Sequence, residues 1–155
     1  MKRIFVFVAL FCAVFLAQSV DFRLSDRSGA DFRLSDVQSE YVLLFLYNSD
    51  CDACVKAASD IAGSELMSSL PPERLAIVSI ALFDDGRHWK QKAETFPHSW
   101  IHAFDKYDDI IFGDALEFST VPVYVLLGSN HEVLFCGCSF RAVESHLKSR
   151  LAAEP

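Results

Sequence analysis

Cys51-Asp52-Ala53-Cys54 is the group of residues in this 155-residue chain with the most evident chemistry. It directly follows the apolar run Tyr41-Val42-Leu43-Leu44-Phe45-Leu46-Tyr47 and precedes a stretch of helical spacing. A buried strand that runs into C-x-x-C at a helix start is the usual construction of a redox-active dithiol. The helix N-terminus offers unpaired backbone N–H groups and a partial positive charge, and both favour a thiolate over a thiol. The bland alternatives are half of a zinc site or an inert staple. A structural zinc site needs four ligands, which Cys136 and Cys138 could complete.

The elements that must position these residues follow from periodicity. Tyr41–Tyr47 and Leu75–Ala81 are near-continuous apolar runs, as in parallel strands buried on both faces. Between them, Cys54, Ala58 and Ile61 fall at helical spacing. Gly63 breaks that segment and Pro71-Pro72 ends it. Trp89, Ala93 and Phe96 predict a helical face within 86–96, and both Trp89 and Trp100 read as packing anchors. Residues 100–104 predict a short strand, and 107–116 another helix. Val123–Leu127 and Glu132–Cys136 flank Gly128-Ser129-Asn130 and read as a hairpin. Ser139 can cap a last helix that turns Phe140, Val143, Leu147 and Leu151 inward. Near the N-terminus, Asp21-Phe22-Arg23-Leu24-Ser25-Asp26 recurs as Asp31-Phe32-Arg33-Leu34-Ser35-Asp36, with Ser28-Gly29 between. Two copies make a hairpin, not a solenoid. The order ββ-β-α-β-α-β-α-β-β-α gives one α/β domain.

Lys2 and Arg3 precede the apolar segment Ile4–Leu16, and Ala17-Gln18-Ser19 offers small residues at cleavage-site spacing. Residues 1–19 therefore read as a secretory signal peptide and 20–155 as the working domain. The apolar stretch is short for a span of roughly 17–25 residues. Loss of Lys2 and Arg3 takes the net charge from −7 to −9. So acidic a chain argues against nucleic acid and anionic membranes as partners. Export places Cys51, Cys54, Cys136 and Cys138 in a disulfide-permissive compartment, the periplasm if the source is a Gram-negative bacterium. Of the five cysteines, Cys12 would leave with the leader, and the four that remain are too few for a disulfide scaffold and read as local chemistry.

From about Asp21 to Leu151 the chain resembles the exported thioredoxin-like thiol–disulfide oxidoreductases, in the branch related to cytochrome-maturation and peroxiredoxin-like proteins. The lead-in 31–36, the stretch Tyr47-Asn48-Ser49-Asp50-Cys51-Asp52-Ala53-Cys54, the loop Ser119-Thr120-Val121-Pro122-Val123-Tyr124 and the closing hairpin and helix carry the resemblance. It implies a thioredoxin-like fold, with a mixed central sheet flanked by helices and an N-terminal β-hairpin. It also implies Cys51 as the exposed nucleophile and Cys54 as the buried resolver. Val121-Pro122 would be a cis peptide whose backbone holds the substrate. No cofactor and no metal are expected. The partners expected are disulfide-containing client proteins and a redox-recycling partner, with a transient membrane-anchored electron donor as one form of it.

The chain departs from the family pattern at Asp50, Asp52 and Ala53, where many thioredoxins have Trp and Gly-Pro. Two carboxylates beside Cys51 disfavour its thiolate, which predicts a reductant-like potential on the order of −220 mV or lower. The buried acid of many relatives has no counterpart in Leu44-Phe45-Leu46. Cys136-Gly137-Cys138 is unusual, and sheet geometry would set it roughly 10 Å from Cys51 as a second redox pair exchanging with Cys51/Cys54. The competing functions are a metal-binding protein using the same cysteines and a non-catalytic interaction module with a structural disulfide. A peroxidase reading is weaker, because no Thr and Arg arrangement surrounds Cys51.

Overall fold

The computed structural model describes residues 18–154, so residues 1–17 of the segment read as a leader lie outside the described residues. The elements in chain order are β1 (Arg23–Asp26), β2 (Asp31–Arg33), β3 (Tyr41–Tyr47), α1 (Asp52–Ala62), α2 (Glu65–Ser69), β4 (Leu75–Ala81), α3 (His88–Ala93), β5 (Ile101–Phe104), β6 (Val123–Leu127), β7 (Val133–Gly137) and α4 (Phe140–Ala152). The strands form one sheet in the order β2-β1-β5-β4-β3-β6-β7. β3, β4 and β5 run parallel, whereas β6, β7 and β1 join antiparallel. The sheet is therefore mixed, as expected, and its fully buried centre is β3.

Alternation along the central strands feeds two cores. Leu43, Phe45 and Tyr47 face the helices, where Cys54, Ala57, Ala58 and Ile61 of α1 pack with Trp89, Val143 and Leu147. Those four α1 residues recur at i, i+3, i+4 and i+7, which is one helix face. Val42, Leu44 and Leu46 face the other way, onto Val20, Phe22, Leu34 and Ile110. Trp89 stacks on Phe104 at 5.7 Å between ring centroids, and Trp100 meets Phe45 edge-on at 6.3 Å, so both indoles are packing anchors.

Residues 107–116 are not the helix that the spacing predicts but a run of turns. Asp108 adopts a left-handed φ of 55°, and a Cβ at Gly113 would run into the Asp109 carbonyl oxygen. The buried Asp105 carboxylate accepts the Ile110 N–H at 3.0 Å. These turns bury Ile110 and Leu116 on the sheet face that no α-helix covers among the described residues.

The repeated hexapeptides adopt different structures. In the first copy, Arg23–Asp26 is a strand with partners on both edges, β2 and β5. The second copy lies at the sheet edge, and its Leu34–Asp36 closes into a 3-10 turn. There Asp36 accepts the Arg33 N–H at 2.8 Å and Asp21 accepts the Ser35 N–H at 3.0 Å. Ser19 bridges Glu132, and the Val20 N–H donates to the His131 carbonyl at 2.9 Å. His131 is a buried anchor at φ 59° whose Nε2 lies 3.1 Å from the Val37 carbonyl.

Candidate functional site

The C-terminal ends of the parallel strands β3, β4 and β5 share one end of the sheet, and the C-x-x-C sits there. Asn48 builds the loop that carries it. Its amide donates to the carbonyls of Leu82 and Phe83, both at 2.9 Å, tying the end of β3 to the end of β4. Its side-chain oxygen accepts the Asp50 N–H at 3.0 Å, and its carbonyl accepts the Cys51 N–H at 3.2 Å. Asp84 accepts the Ser49 N–H at 3.0 Å. Neither Asn48 nor Asp84 carried a role in the sequence reading. An Asn just past a strand end, two residues before an Asp, is the signal that could have found the first.

Cys51 is the N-cap of α1, with extended backbone at φ −97°, and its sulfur accepts the Cys54 N–H at 3.1 Å. Cys54 lies one turn inside and is 1% exposed, whereas Cys51 is partly exposed. The two sulfurs are bonded to each other, with Cα atoms 5.2 Å apart. Asp50 and Asp52 are both exposed beside them, and Asp52 occupies the first turn of α1.

The Val121 carbonyl oxygen lies 4.0 Å from the Cys51 sulfur. The Val121–Pro122 peptide is cis. β6 begins immediately after it, with Val123 opposite Leu46. Beside Val121 is an apolar hollow of about 260 Å³, lined by Phe83, Ile111, Leu116 and Phe118. Phe83 is 66% exposed at its mouth and holds a left-handed φ of 53°.

Beneath the loop, Tyr47 is fully buried and its hydroxyl has no partner among the described residues. Burial, and then the Asp84 charge, hold its proton well above the ordinary phenol value. The strand below the dithiol otherwise presents apolar side chains, as Leu44-Phe45-Leu46 predicts.

Cys136 and Cys138 are brought to the same end of the sheet but are both exposed and unbonded. Burial of its sulfur, then the charge of Cys138, raise the Cys136 pKa. The four cysteines do not converge. Among the described residues, the single group of three or more ligand side chains with donor atoms within 4.8 Å of one another is Asp84, Asp85 and His88. The four-cysteine zinc set is therefore not what this fold assembles. His102 is buried on β5, 2.7 Å from the Ser79 hydroxyl and 3.1 Å from the Pro97 carbonyl.

No family model and no curated protein matches this chain. Solved structures do. A thioredoxin-like protein from Bacteroides caccae superposes with a TM-score of 0.78 at 25% identity, covering 86% of this chain and 48% of that one. The chain thus spans about half the length of that protein. A conserved protein of unknown function from Bacteroides fragilis gives 0.78 at 24% identity, covering 84% and 96%. The thioredoxin domain of a thiol-disulfide oxidoreductase from Bacteroides vulgatus gives 0.67 at 18% identity, covering 83% and 94%. These likenesses show a thioredoxin-like fold, and the bonded Cys51–Cys54 pair lies within it.

Proposed function

We propose that this chain, which has the thioredoxin-like fold, reduces or exchanges disulfides of exported client proteins through Cys51 and Cys54. The observation that carries the reading is the placement of a partly exposed N-cap cysteine 4.0 Å from a backbone carbonyl of the loop before β6.

In the reduced protein, the Cys51 thiolate attacks one sulfur of the client disulfide. One client thiolate leaves and takes up a proton, and Cys51 is joined to the client as a mixed disulfide. Cys54 then loses its proton and attacks the Cys51 sulfur, releasing the second client thiol and closing Cys51–Cys54. Two electrons and two protons pass to the client, and a recycling partner restores the dithiol. The helix start favours the Cys51 thiolate, while Asp50 and Asp52 oppose it. Val121, through its carbonyl, accepts a backbone N–H of the extended client segment beside its disulfide. Pro122 offers no N–H that would compete there. The leader-like residues 1–19 support an exported client, and the acidic charge opposes nucleic acid as a partner.

The test is a Cys54→Ser variant mixed with a peptide disulfide. Accumulation of a Cys51–peptide mixed disulfide, absent from Cys51→Ser, is expected. Equal labelling of the two variants would overturn the assignment of roles.

A further inference from the structure

The fold presents a second pair of thiols that the reading above does not use. Cys136 stands opposite Val125, and Gly137 opposite Tyr124, near the start of β6. Val123 in turn stands opposite Leu46, near the end of β3. β7 therefore ends at the same end of the sheet as the Cys51 loop, and it is the edge strand there. Two strand spacings, about 10 Å, separate β7 from β3. The two cysteine pairs are neighbours that do not touch.

Residues i and i+2 of a strand share one face, with Cα atoms about 6–7 Å apart, at the upper end of what a disulfide spans. The ladder ends at Gly137, and Cys138 lies in the bend before Ser139 caps α4. Only one of the two residues is thus fixed by strand pairing, and the other sits in a bend. A Cβ at Gly137 would come 3.1 Å from the Phe135 ring, so the residue between the two thiols is tied to Phe135 packing. Burial first, and then the charge of Cys138, raise the Cys136 pKa. Both thiols are exposed, as exchange with an external disulfide requires.

We infer that Cys136 and Cys138 form a second reversible dithiol–disulfide couple, oxidised by small-molecule or protein disulfides independently of Cys51 and Cys54. Cys138, outside the ladder, attacks one sulfur of the incoming disulfide as a thiolate, and the leaving thiolate takes a proton. Cys136 then loses its proton and attacks the Cys138 sulfur, expelling the second thiol. Two electrons leave the cysteine pair, two thiols are released, and one new S–S bond joins Cys136 to Cys138.

The wild-type chain itself allows the test. Trypsin cuts after Arg33 and Lys56 and after Lys106 and Arg141, so the two pairs fall on separate peptides, 34–56 and 107–141. The full chain is equilibrated across a series of reduced and oxidised glutathione, quenched in acid, alkylated and digested. Peptide 107–141 is expected to lose both alkylation sites together in one step, as an unadducted internal disulfide. Cys138→Ser should remove that step and leave Cys136 alkylatable or carrying glutathione. Stepwise glutathione adducts, cross-linked chains, or thiols that stay alkylatable throughout would overturn the inference. Peptide 34–56 reports on Cys51 and Cys54 separately, so failure of either pair is distinguished from failure of the other.

Discussion

Cys51 and Val121, separated by 70 positions in sequence, bring a sulfur and a backbone carbonyl oxygen to 4.0 Å. Asn48 fixes one side of this contact by binding the end of β4, and β6 fixes the other by pairing with β3. The site is thus a property of three neighbouring strand ends.

The acidic flank sets the redox balance. Asp50→Asn/Asp52→Asn removes two charges that oppose the Cys51 thiolate. The reduced state gains, so the potential should rise by on the order of 10–30 mV. The Cys51 pKa should fall, read from the pH dependence of alkylation. Because both carboxylates are exposed, the difference should shrink in salt of about 1 M. A potential unchanged at low salt would remove these residues from the account.

Asn48→Ala should loosen the loop. It leaves the carbonyls of Leu82 and Phe83 without their amide donor, which costs about 1–3 kcal/mol. Denaturant melts of the oxidised chain measure this, and exchange with a peptide disulfide should slow in parallel. Undiminished stability together with normal exchange would show that the loop is held by other contacts.

His102 should make stability sensitive to acid. Burial is the main cause that lowers its pKa, opposed by the hydrogen bond to the Pro97 carbonyl. The unfolded chain, with histidine near its ordinary value of about 6.5, then takes up a proton that the native state excludes. Stability should fall as pH drops below about 6.5 toward the lowered native value, with a slope of at most about 1.4 kcal/mol per pH unit. Melts at about pH 7.5 and pH 5.5 check this, and His102→Gln should flatten the dependence on this group.

Much of this was legible in the chain because the signals were local. Tyr41–Tyr47 and Leu75–Ala81 are apolar on both faces, and parallel central strands are the structure that buries both faces. The dithiol at the start of α1 followed from its place after such a strand. What escaped was set by tertiary context. Tyr107, Ile110 and Ile111 have helical spacing, but a left-handed Asp108 and a crowded Gly113 divert the chain into turns that still bury Ile110. Identical hexapeptides diverged because only the first has a strand on each edge. Asn48 and Asp84 act through backbone groups on another strand, and no spacing rule in a single segment reveals that.

The central claim is that Cys51 and Cys54 are one working couple. Thiol trapping of peptide 34–56 across a dithiothreitol or glutathione series tests it most directly. A single reversible two-electron transition, on the order of −220 mV or lower and abolished in Cys51→Ser, is the predicted result. A bond that stays closed even under conditions below about −300 mV would contradict it and mark Cys51–Cys54 as a structural staple.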